Sequence, residues 1–125
     1  MDGLVEIAPL PAVPLRDLFT YRVPGALRDR VRPGMRVRIP LGRQTRMGVV
    51  AGFTDSMPGG DLRSVIDCVD PEPLMPADLL ELCRWTARYY LVSLADVIGT
   101  IVPSRLPEPA EERVLVLARR LTSED

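Results

Sequence analysis

Lysine, histidine and asparagine are absent from the 125 residues. Without lysine there is no Schiff-base amine and no phosphate-loop lysine. Without histidine there is no imidazole general base and no histidine metal ligand. Cysteine is scarce: Cys68 and Cys83, fifteen positions apart, do not have zinc-site number or spacing. No apolar run approaches the ~18 residues of a membrane span. The start, MDGLVEIAPL, lacks the basic and apolar regions of a signal peptide. The expectation is a cytoplasmic protein with reduced thiols, no metal, no cofactor and no membrane contact.

What is present is unevenly distributed. All 16 basic residues are arginine, and the formal net charge is −1. Residues 1–54 hold nine arginines against four acids, whereas residues 55–125 hold seven against thirteen. The stretch 28–46 alone has seven arginines and one acid, Asp29. Such a segment suits phosphate or another anion.

The first two-thirds of the chain read as short strands separated by turn residues. Residues 4–8 are β-prone, and Pro9, Pro11 and Pro14 then exclude a central strand. Residues 19–23 alternate, with Phe19, Tyr21 and Val23 on one face and Thr20 and Arg22 on the other. Pro33-Gly34 fits the middle of a type II turn. Residues 35–39 alternate again, Met35, Val37 and Ile39 inward and Arg36 and Arg38 outward. Pro40 ends that strand, and Gly42 sits in a basic loop. Residues 47–54 form another strand, in which Gly48 and Gly52 mark a bulge or a close backbone approach. Residues 62–69 are the last strand. From Pro76 the period becomes helical, with Leu79, Leu82, Cys83, Thr86 and Tyr90 in one stripe and Trp85, Tyr89 and Tyr90 packing the helix on the sheet. Ser93 to Asp96 resembles a capping box that starts a second short helix. The fold class is therefore β-rich α+β, a small partly open OB-like β-barrel with a C-terminal helical appendix. Residues 1–103 form the domain, and 104–125 form a linker and the start of whatever follows.

Catalysis has little support. Asp67 and Asp70 read as turn formers rather than a carboxylate dyad, and the cysteines as buried apolar residues without a base beside them. The arginines carry the best chemical signal, because a guanidinium forks two hydrogen bonds to phosphate. Arg43 and Arg46 flank Gly42, where the backbone is open to close approach. Two readings stand at this point: an anion-binding face, or a solvated face whose arginines pair with acids. Phe19, at the start of a strand, either stacks a base or joins the core.

Five segments sharpen this. PAVPLRDLFTYRVP (residues 11–24), VRIPLG (37–42) followed by Arg43-Gln44, Gly48-Val49-Val50, IDCVDPEP (66–73) and WTARYYLVSLADVIGTIV (85–102) occur in this order. Together they resemble the N-terminal DNA-binding domain of the primosomal replication-restart helicase family, PriA (primosomal protein N′), over residues 4–103. The resemblance implies a module that binds the 3′ end of the nascent leading strand at a stalled fork. It implies that the pocket phenylalanine is Phe19, the pocket glycine Gly42 and the basic pocket residue Arg63, with Arg43 and Arg46 on the adjacent backbone. The family aspartate falls on Thr20, a departure that keeps a hydrogen-bonding hydroxyl and loses a carboxylate. The implied partners are single-stranded or forked DNA with a free 3′ end, other domains of the helicase and primosome proteins, bound by a monomer. Residues 113–121 look like the start of a winged-helix domain, and the tail favours a piece of a longer protein over a shortened natural relative. The family's full-length protein is an ATP-dependent helicase, but no Walker or helicase motif occurs here, so this chain is not expected to be an enzyme. The competing reading is a protein-interaction barrel that binds no nucleic acid.

Overall fold

The computed structural model describes residues 3–58, 60 and 62–102. The predicted linker and domain start, residues 104–125, lie outside the described residues. Five strands form one antiparallel sheet in the order β2-β1-β4-β3-β5: β1 Gly3–Leu10, β2 Phe19–Val23, β3 Arg36–Leu41, β4 Gln44–Thr54 and β5 Asp67–Cys68. A 3-10 turn, Gly25–Leu27, follows β2, and two helices, α1 Ala77–Tyr90 and α2 Leu94–Ile101, complete the chain.

The sheet curls without closing. The predicted strand over 62–69 divides its hydrogen bonds between the two sides of the opening. Arg22 N–H donates to the Arg63 carbonyl and Val65 N–H to the Arg22 carbonyl, at 2.8 and 2.9 Å. Further on, Ile66 N–H donates to Arg38 and Val69 N–H to Arg36, at 2.8 and 2.9 Å. One segment thus joins β2 to β3, and only Asp67–Cys68 is left regular enough to be a strand. This is the partly open barrel with a helical appendix that the turn pattern implied.

The inner face of the curl holds Val5, Ile7, Tyr21, Val23, Val37, Ile39, Val50 and Val65. The other face, through Ala8, Leu10, Val49 and Ala51, packs on both helices. Burying a Val, Leu or Ile side chain is worth about 1.5–3 kcal/mol, so both faces hold the sheet in shape. β1 runs through Pro9, but its pairing with β2 stops at Ile7. The proline therefore lies where β4 is the strand's one neighbour, and the missing N–H costs no ladder bond on the β2 side.

Glycines set the close approaches. Gly34, at φ +89°, turns the chain into β3, and Met35 N–H donates back to the Arg32 carbonyl at 3.2 Å, as a type II turn requires. A β-carbon there would sit 2.2 Å from the Met75 carbonyl oxygen, and one at Gly48 would sit 2.4 Å from Ile7 Cγ2. The structure moves the helical stripe: α1 buries Leu79, Leu80, Cys83 and Ala87. Leu82 and Tyr90 point outward, and Trp85, Tyr89 and Tyr90 do not pack on the sheet. Trp85 instead stacks on Tyr89 with ring centroids 5.0 Å apart, on an exposed face. Apolar residues lie all around this helix, so periodicity could not choose the face. The small Ala87 lets one face approach the core closely. The expected cap of α2 is present, with Ser93 Oγ accepting from Asp96 N–H at 3.0 Å. Among the described residues no helix is long and apolar enough to cross a membrane.

Candidate nucleic-acid interface

The β3–β4 hairpin has two turn residues, Gly42 and Arg43, between the paired Leu41 and Gln44. Gly42 takes φ +61°, the sign that a two-residue hairpin of type II′ needs at its first position. Nothing lies within 4 Å of where its β-carbon would be, so the backbone here is open to an approaching ligand.

Arg63 reaches this turn from the bridging segment. Its Nη1 donates to the Gly42 carbonyl at 2.8 Å. That contact uses one of the five N–H donors of the guanidinium. Tyr21 ties β2 to the same corner through its hydroxyl, which donates to the Pro40 carbonyl at 2.7 Å. Burial pushes the Tyr21 hydroxyl above its ordinary pKa, against a lowering by the Arg63 charge. The group stays a neutral donor.

Phe19 lies two residues before Tyr21 on the same face of β2. It is half-buried and packs on the inner cluster. Base stacking and core packing were alternatives in the sequence, and the ring packs on the core with part of its surface left open. The Arg16 guanidinium covers it, 4.5 Å from the ring centroid. Arg46 stands opposite Ile39 in the β3–β4 register and shares that strand face, half-buried. Arg43 is exposed at the hairpin tip. Thr20 points to the other face of β2, opposite Glu6 on β1.

The structure therefore joins Arg63 to Gly42 directly and sets Arg43 beside them. Phe19 and Arg46 lie on the same inner sheet face as Tyr21 and Ile39, and Thr20 does not. Sequence reasoning missed Arg16 and Tyr21. Tyr21 carried a signal, because it shares a face with Phe19. Arg16 carried none, because its place over the ring depends on the loop before β2.

Arg36 is a correction. Alternation put it outward, yet it is wholly buried. Its Nη2 meets Asp70 Oδ1 at 2.7 Å, its Nε donates to Oδ2 at 3.0 Å, and its backbone N–H donates to Oδ2 at 3.1 Å. The segment after β5 folds over β3 and buries both groups. Arg38 pairs with Asp67 at 3.0 Å on a half-exposed site. These two arginines follow the acid-paired reading. For Arg16, Arg43, Arg46 and Arg63 no acidic partner is found among the described residues.

Comparison with known proteins identifies the family. A family model described as the 3′ DNA-binding domain (3′BD) of PriA matches residues 8–103. The chain belongs to the PriA 3′ DNA-binding domain family. The replication restart protein PriA of Haemophilus influenzae is 35% identical over 97 residues, which are 76% of this chain and 13% of that protein. PriA of Treponema pallidum is 34% identical over 102 residues, 77% of this chain and 16% of the relative. A probable PriA of Mycobacterium tuberculosis is 33% identical over 88 residues. The chain thus spans well under a fifth of the length of these relatives. As a member of this family it is a 3′ DNA-binding domain, and the relatives named here are replication restart proteins.

Proposed function

We propose that this domain holds the free 3′ end of a DNA strand at the corner formed by β2, the β3–β4 turn and Arg63, and that it does so within a restart helicase acting on stalled forks. The observation that carries the reading is the Arg63–Gly42 hydrogen bond, which fixes a guanidinium beside the one turn residue without a side chain. Phe19 gives the terminal base an apolar contact, and the open backbone at Gly42 lets the terminal sugar come close. Arg63 uses its remaining N–H groups on the base or phosphate. Arg43 and Arg46 hold the adjacent backbone. Thr20, turned away from this corner, contributes a hydroxyl on the far face of β2, so discrimination of the terminal nucleotide rests on the other residues. The step is binding and orientation, with no bond made or broken. The wider partners are forked or single-stranded DNA, the remaining domains of the helicase and primosome proteins, met by a monomeric domain in the cytoplasm.

The test compares strands ending in a 3′-hydroxyl and a 3′-phosphate. The 3′-hydroxyl strand binds more tightly, and Phe19→Ala or Arg63→Ala removes the difference. Arg43→Ala weakens both strands alike and makes the salt dependence shallower by about 0.7 in log–log slope per lost phosphate contact on a single strand. Equal affinity of the parent chain for the two ends across a range of salt refutes the reading.

A further inference from the structure

We propose that Leu15 is a nucleobase contact, held out on a strained turn beside Phe19 to pack against the nucleotide that precedes the terminal one. The proposal rests on the 3′-end reading above. Val13 to Arg16 form a β-turn, closed by Arg16 N–H donating to the Val13 carbonyl at 3.1 Å. Pro14 occupies the second position, which suits its fixed φ. Leu15 occupies the third with φ +63°. A type II turn wants glycine or asparagine there, because a β-carbon is strained at positive φ.

Among the described residues nothing covers Leu15 to offset that strain. Leu15 is 103% exposed, the most exposed large apolar residue among those described. Residues held in such conformations cluster where a protein meets its ligands. The turn is also fixed in place just beyond Leu15. Arg16 lies over the Phe19 ring, 4.5 Å from its centroid. Asp17 Oδ1 accepts the Ala95 N–H at 3.0 Å, which fastens the loop to the start of α2. Leu15 is therefore an exposed apolar group on a fastened turn, one residue from a cation and four from Phe19.

A strand whose last base meets Phe19 brings its preceding nucleotide to this turn. Arg16 faces the intervening phosphate, and Leu15 lies against the face of the base. Leucine, proline and phenylalanine serve as apolar wedges at base steps in DNA-binding proteins. Contact with the face of a base is tolerant of sequence, as recognition of any 3′ end requires.

The experiment uses the 125-residue chain and a fluorescently labelled fork with a 3′-hydroxyl end, read by anisotropy. Leu15→Asn keeps the size, suits positive φ and removes the apolar surface. It weakens binding about fivefold to tenfold, while its thermal midpoint equals or exceeds the parent's. Leu15→Met restores binding to within about twofold of the parent, because a volume-conserving apolar swap is tolerated. An abasic site one nucleotide before the 3′ end abolishes the difference between parent and Leu15→Asn. Unchanged binding by Leu15→Asn overturns the proposal and points to a protein surface as the occupant of Leu15. So does an equal loss on intact and abasic strands. A parent chain that does not distinguish 3′-hydroxyl from 3′-phosphate overturns the 3′-end reading itself. A parent that does, with Leu15→Asn unaltered, overturns only the assignment of Leu15.

Discussion

Asp70→Ala removes one charge from a pair that has almost no water to replace it. Arg36 is 0% exposed and Asp70 is 5% exposed. The substitution takes the carboxylate away from the guanidinium and also leaves the Arg36 backbone N–H without its acceptor. Breaking a buried pair from one side costs about 3–5 kcal/mol. Total stability for a domain of this kind is about 5–15 kcal/mol, so the loss is a large share of it. With a urea m-value of about 2 kcal/mol per molar, the unfolding midpoint falls by about 1.5–2.5 M. Asp67→Ala is the control. The Arg38–Asp67 pair has a similar 3.0 Å contact but is 37% and 46% exposed, and such pairs contribute at most about 1 kcal/mol. Its midpoint moves by about 0.5 M or less. Urea titration followed by circular dichroism reads both, and is preferable to fluorescence because Trp85 is half-exposed in the folded state. Replacing both partners, as Arg36→Met with Asp70→Leu, recovers part of the loss because the buried charge is removed together with its counter-charge. Equal effects of Asp70→Ala and Asp67→Ala refute the assignment of Arg36 to the interior.

Two further expectations concern the glycines and the thiols. Gly34→Ala pushes a β-carbon against the Met75 backbone at positive φ and lowers the thermal midpoint by well over 10 °C, whereas Gly42→Ala meets open space and carries only its conformational strain, about 1–2 kcal/mol. A thiol reagent at pH 8 labels half-buried Cys68 and spares buried Cys83 until the domain unfolds. Burial raises the thiol of Cys83 from about 9 to about 11, so the native state keeps a proton that the unfolded chain loses. Cys83 therefore favours the folded state fully below about pH 9, and that contribution is lost as the pH rises toward 11, which thermal melts across this window detect.

The turn chemistry of this fold was readable because it is local. Pro33-Gly34 announced its type II turn, Gly48 its close approach and Ser93 its cap, each from two to four adjacent residues. Alternation assigned Phe19 and Tyr21 to one face of β2, and the structure keeps them there. Alternation failed at Arg36 because its partner lies 34 residues away and burial comes from a segment that folds over the strand. The bridging role of residues 63–69 was hidden for the same reason. Their hydrogen bonds go to two strands on opposite sides of an opening that no local pattern describes. The α1 face was ambiguous because leucines and aromatics surround the helix. Of the candidate site, Gly42, Arg43 and Arg46 were legible as a basic hairpin, and Phe19 and Arg63 entered through the family resemblance. Arg16 and the strain at Leu15 required coordinates.

The most direct test of the account is a crystal structure of the domain with a short oligonucleotide that ends in a 3′-hydroxyl. The account predicts that the terminal base contacts Phe19 and that its sugar lies against the Gly42 backbone. Arg63 keeps one hydrogen bond to the Gly42 carbonyl and makes others to the nucleotide. A strand that crosses the domain elsewhere, or that lies across this corner by its middle with the 3′ end free in solvent, contradicts it.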